Sequence, residues 1–508
     1  MVGRQAVQPI EPVRSSIPAR MDRLPWTRFH WLVVVGLGVC WILDGVEAQI
    51  VAAMGGPLES VHTLHLSAGE VGATASVYLA GQVLGALVFG RITDRLGRKK
   101  LFILTLLIYL IGSGLAGLSW NLWSLLLFRF IAGTGIGGEY TAINSAIDEL
   151  MPARYRGRVD IAVNGTYWAG AALGAAASLV LFNENAVPIH WGWRLGFLLG
   201  PILGLVIIFV RRAIPESPRW LLTHGRAAEA ERVVDDIERG ARARGIELEP
   251  VGPERAITVA EPPRLSLRAL AAIFFFKYPR RSFLGFSMMA TQAFLYNAIF
   301  FTSSMVLMHF YDVPMDQTGY YFFPFCIGNL LGPLVLGPLF DTIGRRKMIC
   351  STYVLSGSLL LLSAWAFHAG ILSATTQTVL WCVIFFFASA GASSAYLTVS
   401  EIFPIELRGQ AIAFFFAIAQ GIGGVIAPYL FGHLVGGADN PHPDRGPLTL
   451  GYLLGATIMI AGGLIAWRFG IDAEGKSLEE LAEPLSSTKD DATPTPTNTL
   501  STKTEQAV

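Results

Sequence analysis

Long apolar segments, each followed by a short polar one, recur along the whole chain. A helix needs about 20 mostly apolar residues to cross the ~30 Å hydrocarbon core of a bilayer. Twelve segments meet this requirement, near residues 30–55, 68–92, 101–119, 122–148, 158–182, 193–212, 282–309, 317–340, 348–367, 376–400, 410–434 and 449–469. The pattern predicts an all-α integral membrane protein with twelve transmembrane helices.

The composition agrees with this prediction. Of 508 residues, 53% are hydrophobic and 15% are charged, which is typical of a membrane protein. A net charge of +1 gives no reason to expect a nucleic-acid partner. The four cysteines lie in or beside apolar segments without metal-ligand spacing, so we expect neither a metal site nor a cofactor.

Basic residues alternate between the polar segments, and this predicts the topology. The segments near 56–67, 183–192, 310–316 and 368–375 contain no Lys or Arg, whereas basic clusters precede the first span and recur in the alternate segments. Basic segments remain on the cytoplasmic side of a membrane. We therefore expect a multi-pass protein of the plasma membrane, or of the inner membrane in a bacterium, with both termini in the cytoplasm. About 28 polar residues precede the first span, which is unlike a cleavable signal.

The chain repeats itself once. GRITDRLGRKK at 90–100 returns as GPLFDTIGRRK at 337–347, and ELMPARYRG at 149–157 returns as EIFPIELRG at 401–409. These repeats predict two pseudo-symmetric six-helix halves, residues 29–213 and 279–470, with a solute site between them near the bilayer midplane. The other predicted regions are a cytoplasmic N-terminal segment (1–28), a cytoplasmic linker with short helices (214–278) and a mostly disordered cytoplasmic tail (471–508).

Taken together, these motifs resemble the major facilitator superfamily (MFS), and in particular its sugar porter and metabolite:proton symporter branch. PESPRWLL at 215–222, RFIAGTGIGG at 129–138 and the closing GKSLEEL carry the resemblance beside the two repeats. It implies a secondary transporter that moves a small polar organic solute (a sugar, polyol or organic acid) by alternating access, most simply as a monomeric proton symporter. A facilitative uniporter, an efflux antiporter and a non-transporting sensor on the same fold remain alternatives.

The cytoplasmic repeats supply the predicted gating residues. A basic loop could be only a positive-inside anchor, but both copies place an Asp at the same Gly-x-x-x-Asp spacing. The resemblance implies that these acids pair with arginines at helix ends and latch the cytoplasmic side closed. The predicted set is Asp94, Arg95, Arg98, Asp341, Arg345, Glu149, Arg156, Glu401 and Arg408.

Charges inside the spans are the candidates for proton coupling, because each is costly to insert into a bilayer. Asp44 and Glu47 are three residues apart on the first span, so they share a helix face. Arg129 on the fourth span lies at a similar depth, which allows it to pair with Asp44. The resemblance implies that Asp44 and Arg129 form the proton-coupling pair, with Glu47 as the second candidate for proton or solute; a fixed structural ion pair is the alternative.

Glu139 lies near the cytoplasmic end of the same span, where it could serve in coupling or gating, although an interfacial position is the simplest interpretation. The glycines before it fit the G-x-G-x-x-G pattern, yet no strand precedes them, so we interpret them as helix-packing positions rather than a dinucleotide site.

The solute-binding residues are predicted from the resemblance and its departures. Gln292 and Asn297 match the amide positions of the seventh span, although interhelical hydrogen bonds are an alternative role. Tyr396 and Gln420 replace the residues usual at sugar-contact positions, which argues against a hexose. Together with Tyr296 and Trp168, they are expected to line the cavity, with roles as packing and interfacial residues as the alternative.

GIDAEGKS at 470–477 matches the phosphate-loop pattern, but the last span precedes it and no strand does. A phosphate loop joins a strand to a helix. We therefore expect no nucleotide site, and interpret the stretch as a transporter tail motif. No metalloprotease motif occurs inside a span, so an enzyme is not expected.

Overall fold

The computed structural model describes residues 13–212, 215–252, 257–259, 267–403, 408–436 and 444–471, apart from some side chains inside helices. Nine helices in these ranges are long and apolar enough to span a bilayer. Three further helices, of 24 to 29 residues, cover the fourth to sixth predicted spans. The predicted all-α membrane architecture is confirmed.

The helices of the first half alternate in direction along the bundle. They are α2 (Arg28–Ala53), the one-turn α3 (Gly55–Glu59), α4 (Ala68–Leu96), α5 (Arg98–Gly117), α6 (Leu122–Leu150), α7 (Ala153–Leu181) and α8 (Ile189–Arg212). A short α1 (Ile17–Asp22) precedes them.

The second half repeats this arrangement. After α9 (Pro218–Thr223), α10 (Ala227–Arg242) and α11 (Leu267–Ala272), it contains α12 (Pro279–Phe300), α13 (Ser303–Tyr311), α14 (Thr318–Thr342), α15 (Arg345–His368), α16 (Ala374–Ile402), α17 (Arg408–Ala419), α18 (Val425–Val435) and α19 (Arg445–Phe469). Each of the twelve predicted windows overlaps one of these helices or a consecutive pair of them.

Two spans of the second half are interrupted. A break at residues 301–302 divides the seventh span into α12 and α13. A π-helical turn at Gln420–Gly424 separates α17 from α18 in the eleventh. Such turns leave backbone groups out of the regular α-helical ladder and are frequent at functional sites.

The first sequence repeat corresponds to the same tight turn in both halves. Gly97 joins α4 to α5 at φ +86°, and Gly344 joins α14 to α15 at φ +109°. These left-handed values favour glycine over any residue with a Cβ. The Glu216 carboxylate accepts a hydrogen bond from the Lys99 backbone N–H at 3.2 Å, so it caps the start of α5.

Close helix packing explains the glycines of α6. A Cβ at Gly133 would collide with the carbonyl oxygen of Tyr78 on α4, and one at Gly135 would lie 2.5 Å from the Tyr109 nitrogen on α5. Small residues allow this approach of backbones. The packing interpretation is confirmed for these positions.

The N-terminal segment and the linker form one unit, which the sequence did not predict. Strand β1 (Val13–Ser15) pairs antiparallel with β2 (Ile257–Val259). The Arg20 guanidinium contacts the carboxylates of Glu231, Asp235 and Glu238 on α10 at 2.6 to 2.8 Å. A small apolar core, including Ile17, Trp220 and Val234, lies beneath these ion pairs. The pairing joins sequence positions too distant for periodicity to reveal.

Charge pairing shifts the titration of this N-terminal–linker unit. Burial alone would raise the pKa of Glu238, but hydrogen bonds from Arg20 and Arg23 outweigh it, so the pKa lies below its ordinary value. The hydrogen bond to Glu238 raises the pKa of Arg20. Ionised Glu238 therefore stabilises the contact between α1 and α10.

Candidate functional site

A buried ion pair lies inside the first half. Arg129 Nη1 on α6 is 3.2 Å from Glu47 Oε1 on α2. The side chains are 1% and 3% exposed, respectively. The Asn121 side chain accepts a hydrogen bond from the Ser124 N–H and caps α6, which fixes the helix start seven residues before Arg129.

Aromatic rings surround the arginine. The Arg129 guanidinium carbon lies 4.0 Å from the ring centroid of Tyr78 and 5.5 Å from that of Phe197. A cation over an aromatic face gains about 2 kcal/mol when it is desolvated. These rings stabilise the guanidinium but carry no negative charge. Among the described residues, Glu47 is the carboxylate that forms an ion pair with Arg129.

Glu47, rather than the predicted Asp44, is the partner of Arg129. Helix α2 ends at Ala53 and α6 begins at Leu122 at the same end of the bundle. Six residues separate Glu47 from that end and seven separate Arg129, or about 9 and 10.5 Å at 1.5 Å per residue. Asp44 lies nine residues away, about 13.5 Å deep. Glu47 matches the depth of Arg129 to within one residue whether α2 ends at Ala53 or at residue 55, so the preference for Asp44 came from the family resemblance and not from depth.

Asp44 and Glu139 are two further acids near the ion pair. Asp44 interacts electrostatically with both Glu47 and Glu139. Glu139 is 1% exposed in the bundle, so the interfacial interpretation of this residue is wrong. Its neighbours on α6 pack closely against α4 and α5, and this packing excludes solvent.

Gly200 on α8 makes room for the acid. A Cβ at this position would lie 3.0 Å from Glu47 Oε2 and 2.9 Å from the Tyr109 hydroxyl. An alanine at this position would therefore require the Glu47 carboxylate and the Tyr109 hydroxyl to shift by a few tenths of an ångström.

Polar groups of the second half cluster around the π-helical turn. Asn297 Nδ2 donates to the Ala293 carbonyl at 2.7 Å and lies 3.5 Å from Gln420 Oε1. The Tyr296 hydroxyl donates to Asn329 Oδ1 at 2.8 Å. The structure therefore brings together two of the predicted solute-binding residues, Asn297 and Gln420, whereas Tyr296 contacts Asn329.

Asn329 was not predicted, and its sequence setting explains why. It lies on α14 among apolar residues and is fully buried. A lone amide in an apolar span is a signal for a polar contact in the membrane. The prediction was restricted to positions that the resemblance supplied.

Aromatic residues connect the two halves near this cluster. Trp168 on α7 lies 6.3 Å from the ring of Phe325 on α14. Phe325 in turn packs 4.4 Å from Phe385. The remaining predicted residues, Gln292 and Tyr396, are half-buried. The ring centroids of Tyr396 and Phe416 are 6.3 Å apart.

The halves meet at one end of the bundle, which we call the closed end; it is formed by Ala52–Glu59 of the first half and Ser303–His309 of the second. Glu59 Oε2 is 2.8 Å from His309 Nε2. The Ser304 hydroxyl donates to the Ala52 carbonyl at 2.5 Å. At the same end of the bundle, the Tyr429 N–H of α18 donates to Ser76 Oγ of α4 at 3.0 Å.

Most predicted gating side chains lie outside the part of the chain that is described. These are Asp94, Arg95, Arg98, Asp341, Glu149, Arg156, Glu401 and Arg408. Arg345 is described and half-buried at the start of α15. The cytoplasmic latch stays a prediction.

The fold and buried charges define a multi-pass membrane transporter, and the comparisons with known proteins agree. The sequence profile of the sugar (and other) transporter family matches residues 46–485, so the chain belongs to that family. It is 28% identical over 465 residues to the niacin transporter NiaP of Acinetobacter baylyi, covering 91% of this chain and 99% of that one.

Two further comparisons cover nearly the whole length of the protein. The putative metabolite transport protein YdjK of Escherichia coli K12 is 31% identical over 496 residues, with 91% of this chain and 96% of that protein covered. The crystal structure of a D-xylose–proton symporter matches with a TM-score of 0.67 at 19% identity, over 88% of this chain and 100% of that chain. The fold is therefore that of MFS transporters, and the relatives are transporters rather than enzymes.

Proposed function

We propose that this protein is a proton-coupled secondary transporter that carries a small polar organic solute by alternating access. The observation that carries the proposal is the Glu47–Arg129 pair, buried in the first half with an N–O distance of 3.2 Å. Ionisable groups inside a membrane span are costly, so they mark ion or proton pathways more often than structural positions.

The arrangement suits a proton switch. While Glu47 is ionised, it neutralises Arg129; when Glu47 binds a proton, the guanidinium is left without its anionic partner. A buried charge that loses its partner is destabilised by several kcal/mol. Proton binding would therefore favour a rearrangement in which Arg129 reaches water, the solute or another acid, such as Asp44, which interacts electrostatically with Glu47.

We infer that the closed end faces away from the cytoplasm. The polar segments at this end, near 56–67, 310–316 and 368–375, contain no Lys or Arg. Such segments are translocated more readily than basic ones. Contacts between the halves at this end then correspond to a transporter closed on the outside, with both termini in the cytoplasm.

The solute is expected between the halves, near Tyr296, Asn297, Gln420 and Trp168. Amide groups bind hydroxyl or carboxylate oxygens, and the aromatic face of Trp168 suits an apolar ring or sugar face. The relative NiaP is named for niacin transport, so nicotinate belongs in the test set beside sugars, polyols and aliphatic carboxylates. A carboxylate solute would compete with Glu47 for Arg129.

A ligand screen identifies the solute first. Thermal shift and tryptophan quenching are measured on the purified protein with each compound, and Trp168→Phe shows whether quenching arises at the proposed site. We expect a ligand that quenches the parent protein and quenches Trp168→Phe less. If the ligand quenches both proteins equally, it binds elsewhere.

Uptake into proteoliposomes then tests the coupling. An inwardly directed proton gradient should drive accumulation of the solute, and a protonophore should abolish it. Glu47→Gln should lose accumulation but retain solute counterflow, because counterflow requires no net proton movement. Glu70→Gln, which changes an acid at the start of α4 and not in the ion pair, is the matched control. Accumulation that survives the protonophore would overturn proton coupling and indicate another driving ion, whereas equilibration of the solute without accumulation would indicate uniport.

A further inference from the structure

A hydrogen bond between a glutamate and a histidine joins the two halves at the closed end. Glu59 ends α3 in the first half, and His309 lies on α13 in the second, 250 residues further along the chain. Their side chains are 4% and 10% exposed, and the Oε2–Nε2 distance is 2.8 Å. Neither residue was singled out by the sequence, because both lie near polar segments where acids and histidines are common.

The contacts around this pair are close but uncharged. The Ser304 hydroxyl donates to the Ala52 carbonyl at 2.5 Å. A Cβ on Gly55 would lie 2.6 Å from Met305 Cγ, so α3 packs tightly against α13. The packing of Met305 against α3 can adapt to many geometries, whereas the hydrogen bond between Glu59 and His309 specifies one.

The pair is incompletely compensated. Glu59 Oε1 and His309 Nδ1 are buried and have no hydrogen-bond partner among the described residues. Desolvation of the two groups offsets part of their attraction, so the pair favours the closed state without preventing the halves from separating. Removal of only one partner destabilises the closed state, because the remaining group is then buried without its partner for as long as this end stays closed.

We propose that Glu59 and His309 form the latch that holds this end of the transporter closed. The latch favours the closed state while both partners are present and releases both groups to water when the halves separate. This inference rests on the proposed alternating-access function. It concerns conformation, however, so it can be tested without solute or proton gradient.

The distance between the halves measures the state of the latch. Val61 and Ile371 lie on opposite halves at this end and are 70% and 64% exposed. Nitroxide labels on Val61→Cys and Ile371→Cys, in a background whose four native cysteines are alanine, report the separation by double electron–electron resonance. The parent protein should give mainly the short distance.

His309→Leu should raise the ratio of open to closed populations by at least about tenfold, because it leaves Glu59 buried without a partner. Glu59→Leu/His309→Leu should return the ratio to within about threefold of the parent, since an apolar pair can replace a buried ion pair. The exchanged pair Glu59→His/His309→Glu should also stay closed.

Tyr311→Phe is the matched control. It removes the hydrogen bond from the Tyr311 hydroxyl to Gln377 at the same end, but both residues belong to the second half. It should leave the distance distribution unchanged. The latch is refuted if His309→Leu keeps the parent distribution, or if the double leucine variant is as open as His309→Leu. A protein that fails to transport but shows the expected distances would refute the proposed function and leave the latch standing.

Discussion

The energetics of the Glu47–Arg129 pair can be measured by removing one charge and then the other. Arg129→Met removes the 3.2 Å ion pair and the contact with the Tyr78 ring. It leaves the Glu47 carboxylate buried and unpaired. Breaking a buried pair from one side costs about 3–5 kcal/mol, of which most is the penalty on the remaining charge.

Neutralising the acid as well should recover much of this cost. In Glu47→Gln/Arg129→Met, no buried charge is left in the pair, and the amide resembles the carboxylate in shape. The double-mutant cycle should therefore give a coupling energy of at least about 1.5 kcal/mol. Unfolding of the purified protein by SDS in mixed micelles, followed by circular dichroism, supplies the free energies.

Arg194 provides a control cycle. Its Nη1 donates to the carbonyls of Gly117 and Ser119 at 2.8 and 3.1 Å rather than to a carboxylate. The costs of Glu47→Gln and Arg194→Met should add to within about 0.5 kcal/mol. If the Glu47–Arg129 cycle is equally additive, the two residues do not form an energetically coupled pair, and the reasoning fails.

Three further predictions concern the packing of α6, the N-terminal–linker unit and the solute site. Gly133→Ala should destabilise the protein by about 1–3 kcal/mol in the same SDS titration, because its Cβ would collide with the Tyr78 backbone; unchanged stability would contradict the packing. The pKa of Glu238 is lowered in the fold, so its stabilisation is present above the ordinary Glu pKa of about 4.3 and is lost as the pH falls through the folded value. Hydrogen-exchange protection of α10 should therefore decrease as the pH falls. Glu238→Gln should reduce this protection at neutral pH and make it less dependent on pH; the same pH dependence in the variant as in the parent would contradict this. Gln420→Ala should raise the KM for the identified solute by about tenfold, as expected for a lost hydrogen bond of 1–1.5 kcal/mol, with the proton-gradient dependence retained; an unchanged KM would exclude Gln420 from the site.

Much of the fold follows from the sequence because bilayer thickness fixes the length of apolar segments. Every predicted window has a corresponding helix, and the repeated Gly97 and Gly344 turns reveal the two halves. The interruptions at residues 301–302 and Gln420–Gly424 were missed, since neither contains a proline and hydropathy averages over such local changes.

The candidate site was predicted less completely. Buried charges are rare enough in spans to single out Asp44, Glu47 and Arg129. The choice between the two acids was wrong because it followed the family resemblance. Depth alone favours Glu47, which lies six residues from the end of α2, against seven residues between Arg129 and the start of α6.

Contacts between distant parts of the chain lay beyond the sequence patterns. The Glu59–His309 pair and the Arg20 cluster on α10 join residues more than 200 positions apart. Periodicity describes the face of one helix and says nothing about its partner. These contacts form only when the two halves pack together and the N-terminal segment packs against the linker.

Proton movement itself tests the central claim most directly. Solute added to proteoliposomes without an imposed gradient should make a weakly buffered external medium more alkaline, because each solute molecule carries a proton inward. Glu47→Gln should take up solute by exchange with preloaded solute yet produce no such change, and Glu70→Gln should behave as the parent does. Solute entry without alkalinisation in the parent protein, or undiminished alkalinisation in Glu47→Gln, would contradict proton coupling through the buried Glu47–Arg129 pair.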